Sequence, residues 1–404
     1  MQKWVRMCRR HFVDAICQKH TKQGETNMKL NKITAALCIA GVSATQLAYA
    51  TNGDEMMAVG SQSTALGGSG VAHFIGAEST FSNPAMLGKS KGSEFTGGLV
   101  LFTPKVSNDG MFGTDTASKA STSYIPDVSY SSRISDNLTY GIAMAGIAGM
   151  GVDYTGANPA THIKAKSAMS ILRVVPTIAY NTNEYGLGFS PVFQYGSLML
   201  SYNNGGAVNA AETAETSTGF GYSLGGYFNA TPALTLAASY QSQIAAKYGT
   251  QISKAGAGFG LMAGGFGTPF GDDLNQPAEM KAGVAYTMAD SITLTADYKL
   301  IQWGSAAGYK DFNWKNQTVV AIGAKYAANG FWLGVGYNNA NNPISEITPT
   351  IYKDSAINFF NNMFFPAVVT NSYTLGGGYT ISNALSLEGA AVITPEVKTA
   401  VSAS

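Results

Sequence analysis

Apolar and polar residues alternate along most of this chain. Leu138, Tyr140, Ile142 and Met144 fall on one parity, Thr139, Gly141, Ala143 and Ala145 on the other. Ile292, Leu294, Ala296, Tyr298 and Leu300 likewise oppose Thr293, Thr295, Asp297 and Lys299. Phe331, Leu333, Val335 and Tyr337 oppose Gly334 and Gly336, and Tyr373, Leu375 and Tyr379 oppose Ser372, Thr374, Gly376 and Gly378. Successive strand side chains point to opposite faces, so a period of two predicts strands with one apolar face and one small or polar face. About thirteen such segments begin near Gly92, Ser123, Asn137, Ala165, Tyr185, Gly219, Ala233, Glu279, Ser291, Asn316, Gly330, Asn371 and Ala384. Short turn sequences (135–137, 181–184, 229–233, 289–291, 328–330, 382–384) alternate with longer connections rich in Gly, Asn and Ser, as at 203–218, 249–276 and 338–370.

A soluble sandwich fills its inner face with large side chains and charges its outer face. Here the poorer face is mostly Gly, Ala, Ser and Thr, as expected of a crowded lumen behind a lipid-facing wall. Alternating short and long connections belong to up-and-down outer-membrane barrels, with short periplasmic turns and longer outer loops. The expectation is therefore an all-β protein, a transmembrane antiparallel β-barrel, with no separate helical domain. Such barrels usually close with an even number of strands. After the thirteenth segment the chain reads "TPEVKTAVSAS", so either the count is off by one or the closing strand is missing.

The amino terminus changes the charge. From Met28 come Lys29 and Lys32, an apolar run from Ile33, and Ala48-Tyr49-Ala50, the layout of a secretory signal peptide cleaved near Ala50. Residues 1–27 then form an upstream extension, 28–50 the signal peptide, and 91–404 the barrel. Without the first fifty residues, 17 Lys/Arg face 22 Asp/Glu, so the basic balance that nucleic acid requires is missing. All three cysteines (Cys8, Cys17, Cys38) precede the cleavage point.

Between signal and barrel lies "STALGGSGVAHFIGAESTFSNPAML", residues 63–87. It is too Gly-rich for a stable helix and too irregular for a strand, yet it carries Leu66, Val71, Phe74, Ile75 and Phe81. Residues 51–90 are expected to fold as a plug inside the barrel, where irregular backbone is allowed because it meets protein or water rather than lipid. The bland alternative is a disordered arm. A nucleotide loop is rejected, because His73 stands where G-x-G-x-x-G needs its third glycine and no strand precedes it.

Asn52-Gly53, the run Gly67-Gly68-Ser69-Gly70 and above all Asn83-Pro84-Ala85 resemble the N-terminal hatch of the long-chain fatty acid transporter family of outer-membrane barrels. That family also includes aromatic-hydrocarbon uptake channels. The resemblance extends to "LNQPAEMKAGVAYTMADSITLTADYKLIQW" and to "FNWKNQTVVAIGAKYAANGFWLGVGYNNANNPI", with Asn342-Pro343 at its exit. It implies fourteen strands, a hatch built around Gly67, Gly68, Gly70, Phe74, Phe81, Asn83, Pro84 and Ala85, and passive uptake of greasy molecules. In that mechanism an apolar outer loop collects the ligand, an inner pocket binds it, and a shift of the hatch opens a path. Implied partners are a hydrophobic small molecule, outer-membrane lipid and lipopolysaccharide, and the barrel-assembly machinery, with the protein a monomer in the bacterial outer membrane.

Candidate ligand contacts follow. Phe259, Leu261, Met262, Phe266 and Phe270 form an apolar loop that is either a landing surface or a packed, lipid-contacting segment. The resemblance aligns Lys315 with a lumenal lysine, and its parity with Gln317 and Lys325 agrees, so it is a candidate partner for a carboxylate, as is Arg173. Lys281, Asp297 and Lys299 share the lumenal parity, and Asp297 is expected to pair with one of the two lysines. Beyond residue 50 the histidines are His73 and His162, which lack metal-ligand spacing and a nucleophile motif, so no metal, cofactor or enzymatic activity is expected. The competing readings are a general porin, a structural barrel and, behind them, an outer-membrane lipase.

Overall fold

The computed structural model describes residues 51–109, 115–158, 163–204, 207–208, 213–261, 270–366 and 368–399. Among them thirteen strands of eight residues or more run up and down in chain order. They are β1 (Glu94–Phe102), β2 (Ser123–Ser135), β3 (Leu138–Asp153), β4 (Lys164–Asn181), β5 (Tyr185–Asn204), β6 (Glu215–Asn229) and β7 (Leu234–Gln241). Then follow β8 (Glu279–Met288), β9 (Ile292–Ile301), β10 (Gln317–Ala328), β11 (Phe331–Ala340), β12 (Asn371–Ser382) and β13 (Leu385–Ile393). Each pairs antiparallel with the next. β1 and β13 are the edges of the sheet and are not hydrogen-bonded to each other among the described residues.

Every strand starts within four residues of the position that the alternation gave it. The turns explain the tight pairing at one end. Asn329 and Gly330, between β10 and β11, have φ of 52° and 78°, the two positive angles of a hairpin turn whose twist matches its strands. Ala289 and Asp290 adopt the same left-handed pair (48° and 55°) without a glycine.

The outward parity is apolar and uncovered: Phe95 is 72 % and Phe220 70 % exposed, with Leu99, Tyr124, Leu187, Leu333 and Val335 also more than half exposed. So extensive an apolar surface is a liability in water and the natural surface toward hydrocarbon. No helix among the described residues is long and apolar enough to cross a membrane; the strands cross it. The inward parity holds Gly, Ala, Ser and Thr, as expected of a wall packed directly against a plug.

Four helices among the described residues interrupt the expectation of an all-strand chain: Ser61–Ala65 and Ser79–Ser82, single turns in the segment expected to be too Gly-rich for a helix, and Gln251–Ala257 and Tyr352–Phe364 in long connections. In Tyr352–Phe364, Ala356, Ile357, Phe360, Met363 and Phe364 are buried. Their spacing of three and four is the signature of a helix laid on a surface. Asp354 caps it, its Oδ2 accepting from the Thr350 and Ile351 amides at 3.0 and 3.2 Å.

Candidate functional site: the interior between plug and wall

Residues 51–90 dock on the inward face through backbone rather than bulk. A Cβ on Gly188 of β5 would come within 2.3 Å of the Ala85 amide, and one on Gly225 of β6 within 1.9 Å of Asn83 Oδ1. On β11, a Cβ on Gly336 would lie 2.2 Å from the Gly67 amide nitrogen. Wall glycines are therefore notches into which plug backbone fits. Gly67 itself is left-handed, with φ of 73°, and lies against the Tyr337 backbone, a position that only glycine fills without strain.

Hydrogen bonds fix the plug in these notches. Asn83 is fully buried: its Oδ1 accepts from the Ala85 amide at 3.0 Å, and its Nδ2 donates to the Val71 carbonyl at 2.9 Å and the Gly226 carbonyl at 3.2 Å. Asn338 Nδ2 donates to the Gly67 carbonyl at 2.8 Å, and the Gly67 amide donates to Thr374 Oγ1 at 3.0 Å. The Gly70 and Val71 amides both donate to Asp297 Oδ2, at 2.7 and 2.9 Å. Asp297 thus holds the hatch. The expected ion pair with Lys281 or Lys299 does not form: both backbone donors take Oδ2, Oδ1 is buried without a partner among the described residues, and the two lysines turn to Glu279 instead.

Those lysines need another anion. Lys281 and Lys299 are directly opposed across β8 and β9, a like-charge pair that destabilises a ladder unless something neutralises it. Glu279, buried on the same face of β8, does so: its Oε2 lies 3.1 Å from Lys281 Nζ and 3.6 Å from Lys299 Nζ, and its Oε1 3.8 Å from Arg173 Nη1. Glu279 is the residue of this cluster that sequence reasoning missed, although its parity with Lys281 could have flagged it. Arg173 also donates from Nε to Gln194 Oε1 at 3.1 Å, while its buried Nη2 has no partner among the described residues. These side chains line a cavity of about 70 Å³ that is also bounded by Glu55, Phe81 and Asn338. Burial, reinforced by the negative charge of Glu279, pushes the Glu55 carboxyl up to about 8, so it is mostly protonated at neutral pH. The three cations then face the carboxylates of Glu279 and Asp297, the second already holding two backbone amides.

Above the cavity, at the long-loop end, lies an aromatic cap. Phe312 stacks on Phe270 (4.6 Å between ring centroids) and on Phe360 (4.9 Å), and Trp303 and Tyr309, tilted against each other, both meet Trp314 edge to face. Asn361 ties helix to loop, donating to the Phe312 carbonyl at 2.7 Å and accepting from Trp314 Nε1 at 3.1 Å. The start of the plug reaches this cap: Gly53 lies against the Trp303 ring, and Tyr309 Oη donates to Asp54. Burial raises the Asp54 carboxyl to about 7 despite that bond.

Leu261 and Phe270 are buried in the cap, and Phe259 packs against Tyr202, Phe360 and Phe364 at 5.0, 5.6 and 6.0 Å. They therefore form packed core and not an open landing surface, because the Tyr352–Phe364 helix supplies the partners that the loop sequence alone does not show. Met262 and Phe266, like His162, lie outside the described residues. Lys315 is corrected too: it sits in the loop before β10, exposed, with Nζ on Asn313 Oδ1 at 2.6 Å, and it does not line the cavity. Strand parity does not extend to a residue outside the strand. Phe81 lies at the cavity wall, Phe74 on the opposite side of the plug, and Pro84 and Ala85 in the glycine notches. Lys325 reaches the plug directly, its Nζ donating to Gln62 Oε1 at 2.5 Å.

Residues 39–393 match the family described as outer membrane protein transport protein (OMPP1/FadL/TodX). Among curated proteins none matches by sequence. Solved structures share the fold: the Pseudomonas putida toluene transporter TodX is 18 % identical, with a TM-score of 0.59, over 81 % of this chain and 89 % of that one. The Ralstonia pickettii toluene transporter TbuX is also 18 % identical (TM-score 0.57; 84 % and 94 % covered). A Pseudomonas aeruginosa FadL homologue is 15 % identical (TM-score 0.58; 85 % and 92 % covered).

Proposed function

Given that the chain belongs to the OMPP1/FadL/TodX family of outer-membrane transport channels, we propose that it admits long-chain carboxylic acids by passive diffusion and acts as a channel, not an enzyme. The observation that carries the choice of ligand is the cation excess around Glu279. Arg173, Lys281 and Lys299 converge on one carboxylate, and Arg173 Nη2 still offers a buried donor. A buried charge-assisted donor left unmade costs about 1–3 kcal/mol, and an incoming carboxylate recovers it. The cavity of about 70 Å³ has room for a head group but not for an alkyl chain. The chain must therefore part the cap or move the plug, and the state described here is closed. The protein is exported by the 28–50 signal, works as a monomer in outer-membrane lipid, and is inserted by the barrel-assembly machinery.

A second reading, uptake of an uncharged hydrocarbon, has the aromatic cap in its favour, since stacked rings accept an apolar guest without any head-group contact. Uptake of labelled oleate and labelled toluene, in a host lacking its own fatty acid channel, separates the two. The expected result is oleate uptake above the empty-vector control that falls when Arg173 is replaced by Gln. Toluene uptake alone, insensitive to Arg173→Gln, would establish the hydrocarbon reading; uptake of neither would leave a porin or a structural barrel.

A further inference from the structure

On the other side of the plug, at the short-turn end, lies a larger cavity of about 730 Å³. Its walls join plug residues His73, Phe74 and Lys89 to the turns 183–184 and 229–233 and to Ala285 of β8. Lys89 is the half-buried cation in this wall. Its Nζ donates to Asn229 Oδ1 at 3.0 Å and Thr235 Oγ1 at 3.1 Å and stands 4.6 Å from the centre of the Tyr227 ring. All three partners are neutral, and no carboxylate lies within ion-pair distance of it among the described residues. Desolvation accordingly lowers the ammonium to about 8. His73, on the same wall, has an Nε2 that is buried without a partner among the described residues, and burial keeps the imidazole neutral down to about pH 3. Lys91 adds a second, exposed positive charge, and Glu184, also exposed, the one negative charge of the lining. The rest is two amides, Asn183 and Asn229, three threonines and apolar side chains, of which Phe74 is the largest residue. A cation without an anion, an unmet imidazole nitrogen and an apolar wall are complementary to one chemistry, an amphiphile with a carboxylate head.

We propose that this turn-side cavity is a second ligand site, on the exit side of the plug, that takes the carboxylate of a long-chain acid on Lys89 and His73 and its first methylenes on Phe74. The inference rests on the uptake reading above and adds a station after the plug. Because Lys89 and His73 are both plug residues, any movement of the plug that frees the inner cavity also moves this site. The inner and turn-side head-group positions are thereby coupled through one segment.

The test uses the full chain in native outer-membrane vesicles, with palmitate bearing a mid-chain diazirine as probe and the same-length alcohol as its uncharged control. After illumination, labelled peptides are mapped by mass spectrometry. The acid is expected to label 72–91 and 229–235 as well as the inner cavity, with the alcohol about tenfold weaker at the turn side. Lys89→Met should lower turn-side labelling by the acid about tenfold, while Lys89→Arg restores it. Heat-modifiable migration reports whether each variant is folded, and the acid–alcohol comparison on the unaltered chain decides without any variant. Equal labelling by acid and alcohol, or displacement of the acid by phosphate as readily as by oleate, would overturn an amphiphile site. Labelling confined to the inner cavity would overturn this proposal and leave the uptake reading standing, whereas no labelling at either place would sink both.

Discussion

The cap and the plug are both buried, but different forces hold them. The cap is a buried cluster of rings around Phe312 and Phe360, tied down by two asparagines and a helix cap. The plug is held by backbone lodged in glycine notches and by a few hydrogen bonds to the wall, made by Asn83, Asn338 and Thr374 and accepted by Asp297. Burial of apolar area is non-directional and survives small displacements, whereas a hydrogen bond fails steeply with misalignment. The plug interface also carries buried polar atoms at Asn52, Glu55 and Arg173 that have no partner among the described residues. A segment anchored in this way has discrete docked and undocked states, which is what a gate requires, while the cap acts as a resilient cover.

Three experiments test that contrast. Phe360→Ala removes the ring at the centre of the cap and should cost the loop region about 3–5 kcal/mol. Hydrogen exchange should then speed up across 303–314 and 352–365 and leave 63–87 unchanged; loss of protection in both would mean that cap and plug are one cooperative unit. Asn83→Ala removes two hydrogen bonds that shape the plug and one that ties it to the Gly226 carbonyl of the wall, and should cost the docked plug about 2–4 kcal/mol. The expected result is raised ion conductance in planar bilayers with an unaltered heat-modifiable barrel, and unchanged conductance would show that the glycine notches alone suffice.

The smallest effect is that of pH. The plug carboxyls Asp54, Glu55 and Glu78 are raised by burial to about 7, 8 and 8. Acids with raised values bind protons more tightly when docked, so docking weakens as pH climbs from the ordinary carboxylate range through about 8. His73, lowered to about 3, works in the opposite sense, but its contribution is complete once pH exceeds about 6.5. Between about pH 6.5 and about pH 8 the carboxyls therefore dominate, and exchange in 52–87, corrected for its intrinsic pH dependence, should quicken. Slower exchange at the higher pH would mean that these groups are ionised when docked.

The strands were readable because a period of two needs no knowledge of partners: Leu138 and Tyr140 face lipid whatever lies beside them. Asn83-Pro84-Ala85 was readable as a plug motif for a similar reason, since its backbone requirements are local. The roles of the charged residues were not. Asp297 and Lys299 share a parity, yet which anion serves which cation depends on Glu279 and on where the Gly70 and Val71 amides arrive. Lys315 misled because parity was carried past the end of its strand, and the loop at 249–276 stayed open between landing surface and packed segment because its cover lies about a hundred residues later in the chain.

The sequence by itself determined the wall, its lipid face, its turns and the presence of a Gly-rich plug, because alternation and turn chemistry act over a few residues. The closed cap, the three cations around Glu279, and Lys89 without an anion arose only when segments far apart in the chain met. Pairings of this kind depend on distances across the lumen, and no local pattern encodes those.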